Sequence, residues 1–420
     1  MLNLKQIFNV FVAIHFFLNG LLPVYVPVFL IQRGYGLEWV AGFASISAIG
    51  FLLALSVWKK WYFRDGLKPI LVASFMFQVG LISSLIFFDH VAWLIVSALL
   101  YGGVNCFLWT SQRILFVALL NSPSDFLRNI SKGVEPTGKL LGDLQILAVV
   151  AIKLGLLVGA FLLAQESFLT LVGLAILVAA IGVTKFIRGV PEHILCASEL
   201  SPNSEQVIFS WKHMLAYRDG HYSSLIFYID GIFLFAESFF WVLSLYFLSQ
   251  QNIQQLSVLL VILSALLGLI FWLVKNHIDR FNPQKVYIAA ALGYVISWGL
   301  RAEMSLETSP YLLHLIIVVV AFLTAFFRLS FNKRLFDNAQ KGLPLTYLMA
   351  KTYGSQVGVM AFFGVMAISV YLDWNALAFD TQHLYAIYWP LSAFSGLYLL
   401  YQLKTKHNRC GSCPKTLTIF

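Results

Sequence analysis

Apolar stretches of about twenty residues recur from one end of this chain to the other, and that recurrence decides most of what it can fold into. LSVLLVILSALLGLIFWLV (256–274) and ILAVVAIKLGLLVGAFLLA (146–164) are two of them. A helix of about 18 or more apolar residues is long enough to cross the ~30 Å hydrocarbon core of a bilayer. Lipid offers no hydrogen bonds, so a crossing backbone must satisfy its own N–H and C=O groups. The short alternating strands of a membrane barrel are not visible. Composition closes the argument: 60% of the residues are hydrophobic and 11% charged, where a soluble domain carries about 25% charged residues. The chain reads as an all-α, multi-pass membrane protein.

About twelve spans are predicted: 8–32, 38–58, 69–88, 91–113, 138–164, 167–186, 223–249, 254–274, 285–301, 310–333, 345–371 and 384–403. VPVFLIQRGYG lacks the small-residue cleavage site of a signal peptide, so the first run is read as a true span. Alternate gaps between spans differ in charge. One set holds Lys59, Lys60, Arg64 and Lys68, then Lys185 and Arg188, then Lys275, Arg280 and Lys285, with Lys404 and Lys406 in the tail. The other set holds only Arg33 and Arg301, beside Glu38, Asp89, Glu303, Glu307 and Asp373. Basic loops stay in the cytoplasm, so both termini are expected there. The net charge of +9 then faces anionic lipid rather than nucleic acid.

The longest polar break divides six spans from six. It sets expected units at 1–188 and 223–404, a linker at 189–222 and a cytoplasmic tail at 405–420. Within the linker, Val207, Ile208, Trp211, Met214 and Leu215 share one helical stripe, as an interfacial helix would. Sliding the chain by 216 residues lays KKWYFRDGLKPI (59–70) on KNHIDRFNPQKV (275–286), with Arg64 on Arg280. The same shift lays GKLLG (138–142) on GSQVG (354–358), and the first span inside the seventh. Two similar six-helix halves are therefore expected.

Two such halves, a central polar loop and a basic turn after the second helix of each half resemble the major facilitator superfamily. The family's turn is G-x-L-x-D-R-x-G-R-K-P. Asp279, Arg280 and Lys285 match it in the second half, and Arg64, Gly66, Lys68 and Pro69 in the first. Lys275 and Asn282 stand where the family has glycines, and Phe63 where it has the aspartate. The resemblance implies two six-helix bundles, transport by alternating access, and gating contacts at Asp279, Arg280 and Arg64. Independently, an Asp-Arg pair at a helix end can bond a neighbouring helix terminus and a carboxylate, and so bias two states. The family's drug antiporters carry a Gly-Pro in the fifth helix; LGLLVGAFLLA (154–164) has no proline.

Ionisable side chains inside spans cost about 2.5–3.5 kcal/mol each on insertion scales, so they face partners or a watered cavity. Asp230 and Glu237 lie seven apart on one helical face of the seventh span; Arg328 and Asn332 lie one turn apart in the tenth. The fifth span carries Lys153, the fourth Asn105 and Arg113, and the first His15 and Asn19, followed by the kink-permitting Pro23 and Pro27. The resemblance implies that the first, fourth, seventh and tenth helices line a central cavity where these groups converge. Asn19, Asn105, Arg113, Lys153, Arg328 and Asn332 are then the substrate-binding candidates, and Glu237, Asp230 and His15 the proton carriers.

The reading is a monomeric secondary transporter importing an anionic organic solute (a carboxylate, metal chelate or organic phosphate) with protons, in a bacterial inner membrane. The alternatives are an efflux pump for amphipathic compounds and, from another class, a membrane receptor or enzyme. No nucleophile, metal set or cofactor motif is visible in the sequence, so neither an enzyme nor a cofactor is expected. Cys410 and Cys413 read as a reduced tail.

Overall fold

A computed structural model of the chain describes residues 4–87, 90–120, 136–190, 211–219, 221–278, 282–304, 309–340, 344–373, 384–385 and 387–402. Among them, nine helices are long and apolar enough to cross a membrane. The expected runs fall on helical elements in order. The first is Leu4–Leu21, a short turn Pro23–Tyr25 and Val26–Gln32. The second to sixth are Leu37–Asp65, Lys68–Phe87, Val91–Leu120, Pro136–Ala164 and Phe168–Gly189. The seventh is Ser223–Phe235, a π turn at Ala236–Phe240, and Trp241–Leu248. The eighth to eleventh are Ile253–Ile278, Pro283–Ala302, Pro310–Gln340 and Pro344–Asp373. The twelfth is Tyr388–Ser395 running into the 3₁₀ segment Gly396–Gln402.

Proline explains the break in the first span. Pro23 sits at the start of the 3₁₀ turn, and the residue before it, Leu22, leaves the helical region at ψ −43° and φ −143°. The second span ends at Gly66, whose φ of +74° suits glycine alone. Large apolar side chains stand outside, among them Leu169, Val365, Ile368 and Tyr371. The interior is also largely apolar, with tyrosine, tryptophan and serine set among leucine and phenylalanine.

Two six-helix bundles result, and their packing repeats. The first span packs on the fifth as the seventh packs on the eleventh. Third on fourth, third on sixth and second on fourth return as ninth on tenth, ninth on twelfth and eighth on tenth. The bundles meet where the second span packs on the eleventh and the fifth on the eighth. At the 1–5 crossing a Cβ on Gly20 would lie 2.2 Å from the Ile152 carbonyl oxygen. At the 7–11 crossing a Cβ on Gly358 would lie 2.2 Å from the Tyr228 carbonyl oxygen. Neither backbone can retreat without parting the helices, which is the close approach that small residues permit in lipid. Gly358→Val is expected to cost about 1–3 kcal/mol or more through overpacking. Its yield of monodisperse, detergent-extracted protein should fall well below that of the neighbouring Val357→Ala.

Bonds between the bundles occur toward both ends. Gln32 donates to the Tyr246 hydroxyl at 3.0 Å, and Ser45 to the Met360 carbonyl at 2.9 Å. Phe239 meets Phe43 and Tyr101 with ring centroids 6.0 and 5.7 Å apart. Nearer the end that carries Leu4, Phe116 meets Phe336 at 4.6 Å. Of the expected interfacial helix, Trp211–Leu215 is helical and packs on the eleventh span; Met214 is buried and Trp211 exposed. Val207 and Ile208 lie outside the described residues.

Candidate substrate and ion-coupling site

The seventh span begins with a regular helix, so Asp230 and Glu237, seven residues apart, share the face turned toward the ninth, tenth and twelfth spans. Glu237 is the second residue of the π turn. Such turns leave part of the backbone ladder irregular and are frequent where a helix carries function. Both carboxylates converge on one guanidinium. Arg328 Nη1 lies 2.6 Å from Asp230 Oδ1, and its Nε lies 2.9 Å from Glu237 Oε2. The remaining Nη2 donates to the Tyr294 hydroxyl at 3.2 Å. Tyr294 in turn donates to Glu237 Oε1.

Asp230 is 1% exposed and carries more than one partner. Lys351 Nζ lies 2.7 Å from its Oδ2, and the Tyr398 hydroxyl donates to Oδ1 at 2.9 Å. Every oxygen of both carboxylates is thus taken by a donor, as burial requires. One residue past Lys351, Thr352 accepts a 2.8 Å bond from Arg113 of the fourth span. That bond brings the opposite bundle to the edge of the network. In and beside this network, Arg113, Arg301, Arg328 and Lys351 stand against the two carboxylates of Asp230 and Glu237.

Arg328, Asp230 and Glu237 are therefore brought together as their sequence positions suggested, with Arg113 beside them. The other candidates lie apart. His15 Nε2 is 2.7 Å from Ser74 Oγ, its ring stacked on Phe75 at 4.2 Å. Asn19 accepts from Gln78 at 2.8 Å. Both face the third span, inside their own bundle. Asn105 donates to the Tyr101 carbonyl and accepts from Trp109, each at 3.1 Å, within its own helix. Asn332 and Lys153 are half-buried, with no hydrogen bond or ion pair among the described residues. Arg64 is exposed at a helix end and pairs with its neighbour Asp65 at 2.7 Å. Asp279 and Arg280 lie outside the described residues.

Lys351, Tyr294 and Tyr398 escaped the sequence reading. Lys351 stands in the second turn of its span, where a lysine passes for an anchor at the membrane face. The tyrosines carry no charge to flag them. Arg301 is a correction: its sequence position suggested an outer loop, but it sits in the last turn of the ninth span, 1% exposed. Its guanidinium turns inward and lies over the rings of Trp241 and Trp298, away from water.

The arrangement as a whole has relatives among solved structures. The nucleoside transporter NupG superposes with a TM-score of 0.64 at 13% identity, over 96% of this chain and 100% of that one. Its fold is that of the major facilitator superfamily. The human organic anion transporter MFSD10 follows this major facilitator fold with a TM-score of 0.60 at 14% identity, covering 95% of this chain and 100% of that one. The xylose transporter XylE from E. coli does so with 0.57 at 13%, covering 96% of each chain. No family model matches the sequence, and no curated protein does either. At 13–14% identity, the likeness to these transporters is one of fold. The ionic network joins the seventh, ninth, tenth, eleventh and twelfth spans inside the second bundle, and the Arg113–Thr352 bond links its edge to the first.

Proposed function

We propose that the protein is a secondary transporter that imports an anionic organic solute together with protons by alternating access. The observation that carries this reading is the double hold of two carboxylates on Arg328. While both are ionised, the guanidinium has no free edge. Protonation of Glu237 removes the charge that holds Nε and so loosens that contact, opening the edge to a carboxylate or phosphate of the solute, which it matches geometrically. Proton and anion then favour each other's binding, and the coupling is reciprocal. Both enter as a pair of opposite charge, so the low-dielectric interior carries no added net charge. The surplus of buried cations supports the same sign of solute, and the name of MFSD10 marks an organic anion transporter on this fold.

Arg113 would read the solute from the opposite bundle, because its bond to Thr352 must break as the halves part. The turn at Asp279 and Arg280, with Arg64, would latch the cytoplasmic side. In this reading both termini are cytoplasmic, which the basic loops support, and the membrane is a bacterial inner membrane. In proteoliposomes screened with radiolabelled carboxylates, metal chelates and organic phosphates, one class should accumulate when the outside is acid. Glu237→Gln should still exchange that solute across the membrane but no longer accumulate it in response to the pH gradient. Unaltered accumulation by this variant would refute the coupling.

A further inference from the structure

Arg301 lies beside the Arg328 network but shares no hydrogen bond or ion pair with it among the described residues. It is 1% exposed, and neither carboxylate of the network is within ion-pair distance of it. Its partners are neutral: Nη1 donates to Ser297 Oγ at 3.0 Å and Nη2 to Thr324 Oγ1 at 2.8 Å. Its guanidinium carbon lies over two indole rings, 4.3 Å from the centroid of Trp298 and 4.8 Å from that of Trp241. Its Nε–H meets no acceptor among the described residues, and the Trp298 indole N–H meets none either. A buried charge is costly unless something opposite in sign answers it. Glu237 answers it only through space, with Arg328 opposing, and no carboxylate oxygen is left to bond it directly, because Tyr294, Arg328, Lys351 and Tyr398 occupy those of Glu237 and Asp230.

What remains is a cation presenting one unmet edge between two aromatic walls. That edge suits a planar or tetrahedral oxyanion, taken by Nε–H and the neighbouring Nη together. We propose that Arg301 anchors a second anion site, which takes the carboxylate or phosphate group of a small solute edge-on between Trp241 and Trp298. The site lies at the end of the bundle opposite Leu4, since Arg301 closes the ninth span. Trp241 directly follows the π turn, and the irregular backbone there allows that wall to move aside. Tyr294, seven residues back on the same face, leads from this site toward Arg328. A role as the first station for the transported solute rests on the function proposed above. Anion binding at Arg301 does not.

The test is isothermal titration of the purified full chain in lipid nanodiscs with sodium benzoate and, separately, inorganic phosphate, ionic strength being held with chloride. Saturable binding of at least one is expected in the wild type and in Arg328→Gln. Arg301→Gln should weaken it by about tenfold or more. If that variant does not fold, Arg301→Lys keeps the charge without the fork and should weaken it similarly. Wild-type affinity in a folded Arg301 variant would overturn the site and leave the arginine as a stacked pillar. So would loss of binding in Arg328→Gln alone, or no saturable binding of either anion by the wild type. Failure of the transport reading would instead appear as coupled uptake that ignores Glu237, with the titration unaffected.

Discussion

Asp230→Asn is expected to destabilise the folded protein by about 3–5 kcal/mol, the cost of breaking a buried ion pair from one side. Asparagine keeps the shape but leaves Lys351, 2% exposed, without its counter-charge, and leaves Arg328 with Glu237 alone. Thermal inactivation in detergent, followed by size-exclusion fluorescence, reads the loss. The double variant Asp230→Asn/Lys351→Met removes both charges of that pair, so it should recover much of the stability. A recovery of about 0.5–3 kcal/mol relative to additivity is the measure of direct coupling. Additive losses would mean that Lys351 and Asp230 do not depend on each other. Transport should stay lost in the double variant, because the carboxylate also positions Arg328.

Arg328→Gln is expected to reduce affinity for an identified anionic solute by about 10- to 100-fold, the worth of a charge-assisted hydrogen bond. Arg328→Lys retains the charge but not the planar fork that spans two carboxylates, so it should be impaired nearly as much. Equilibrium binding by scintillation proximity distinguishes this loss from a loss of translocation. Unchanged affinity in Arg328→Gln would remove the binding role and leave the arginine as the hub of a structural network. Because the proposed coupling of proton and anion runs through this guanidinium, the response of any residual uptake to outside pH should flatten in Arg328→Gln.

The span positions were legible because each is written as an uninterrupted local signal. VYIAAALGYVISWGL needs no distant partner to be read as a helix. The pairing of Asp230 and Glu237 was legible for the same reason, since helical periodicity alone puts residues seven apart on one face. Their joint hold on Arg328 was half-legible: a buried cation and two buried carboxylates imply partners, and the fold's resemblance supplied the geometry. What could not be read was which way a side chain turns. His15 and Asn19 lie on a cavity-lining helix in the resemblance, yet both face the third span, where Ser74 and Gln78 receive them. Those hydroxyl and amide partners are common residues whose positions carry no periodic mark. Arg301 was misplaced because proximity to a span end reads as solvent, whereas Trp241 and Trp298, 57 residues apart in the chain, both lie against it. Tyr294 and Tyr398 were invisible because nothing in an aromatic-rich sequence separates a hydrogen-bond donor from packing material.

The π turn at Ala236–Phe240 means that the seventh span is one residue longer than a regular helix of the same height would be. That surplus acts as a phase offset: residues beyond it are rotated by about 100° relative to where a continuous α-helix would have put them. Phe239, Phe240 and Trp241 owe their present bearings to it, against Tyr101, Phe363 and Arg301 respectively. Asp230 does not, because it precedes the turn. A lineage that lost a single codon here would keep a helix of nearly the same hydrophobic length and an intact Asp230–Lys351 pair. It would nonetheless disconnect the aromatic contacts between the halves and the wall beside Arg301. Length in this span is therefore constrained to the residue, whereas most of the lipid-facing sequence around it is constrained only to be apolar.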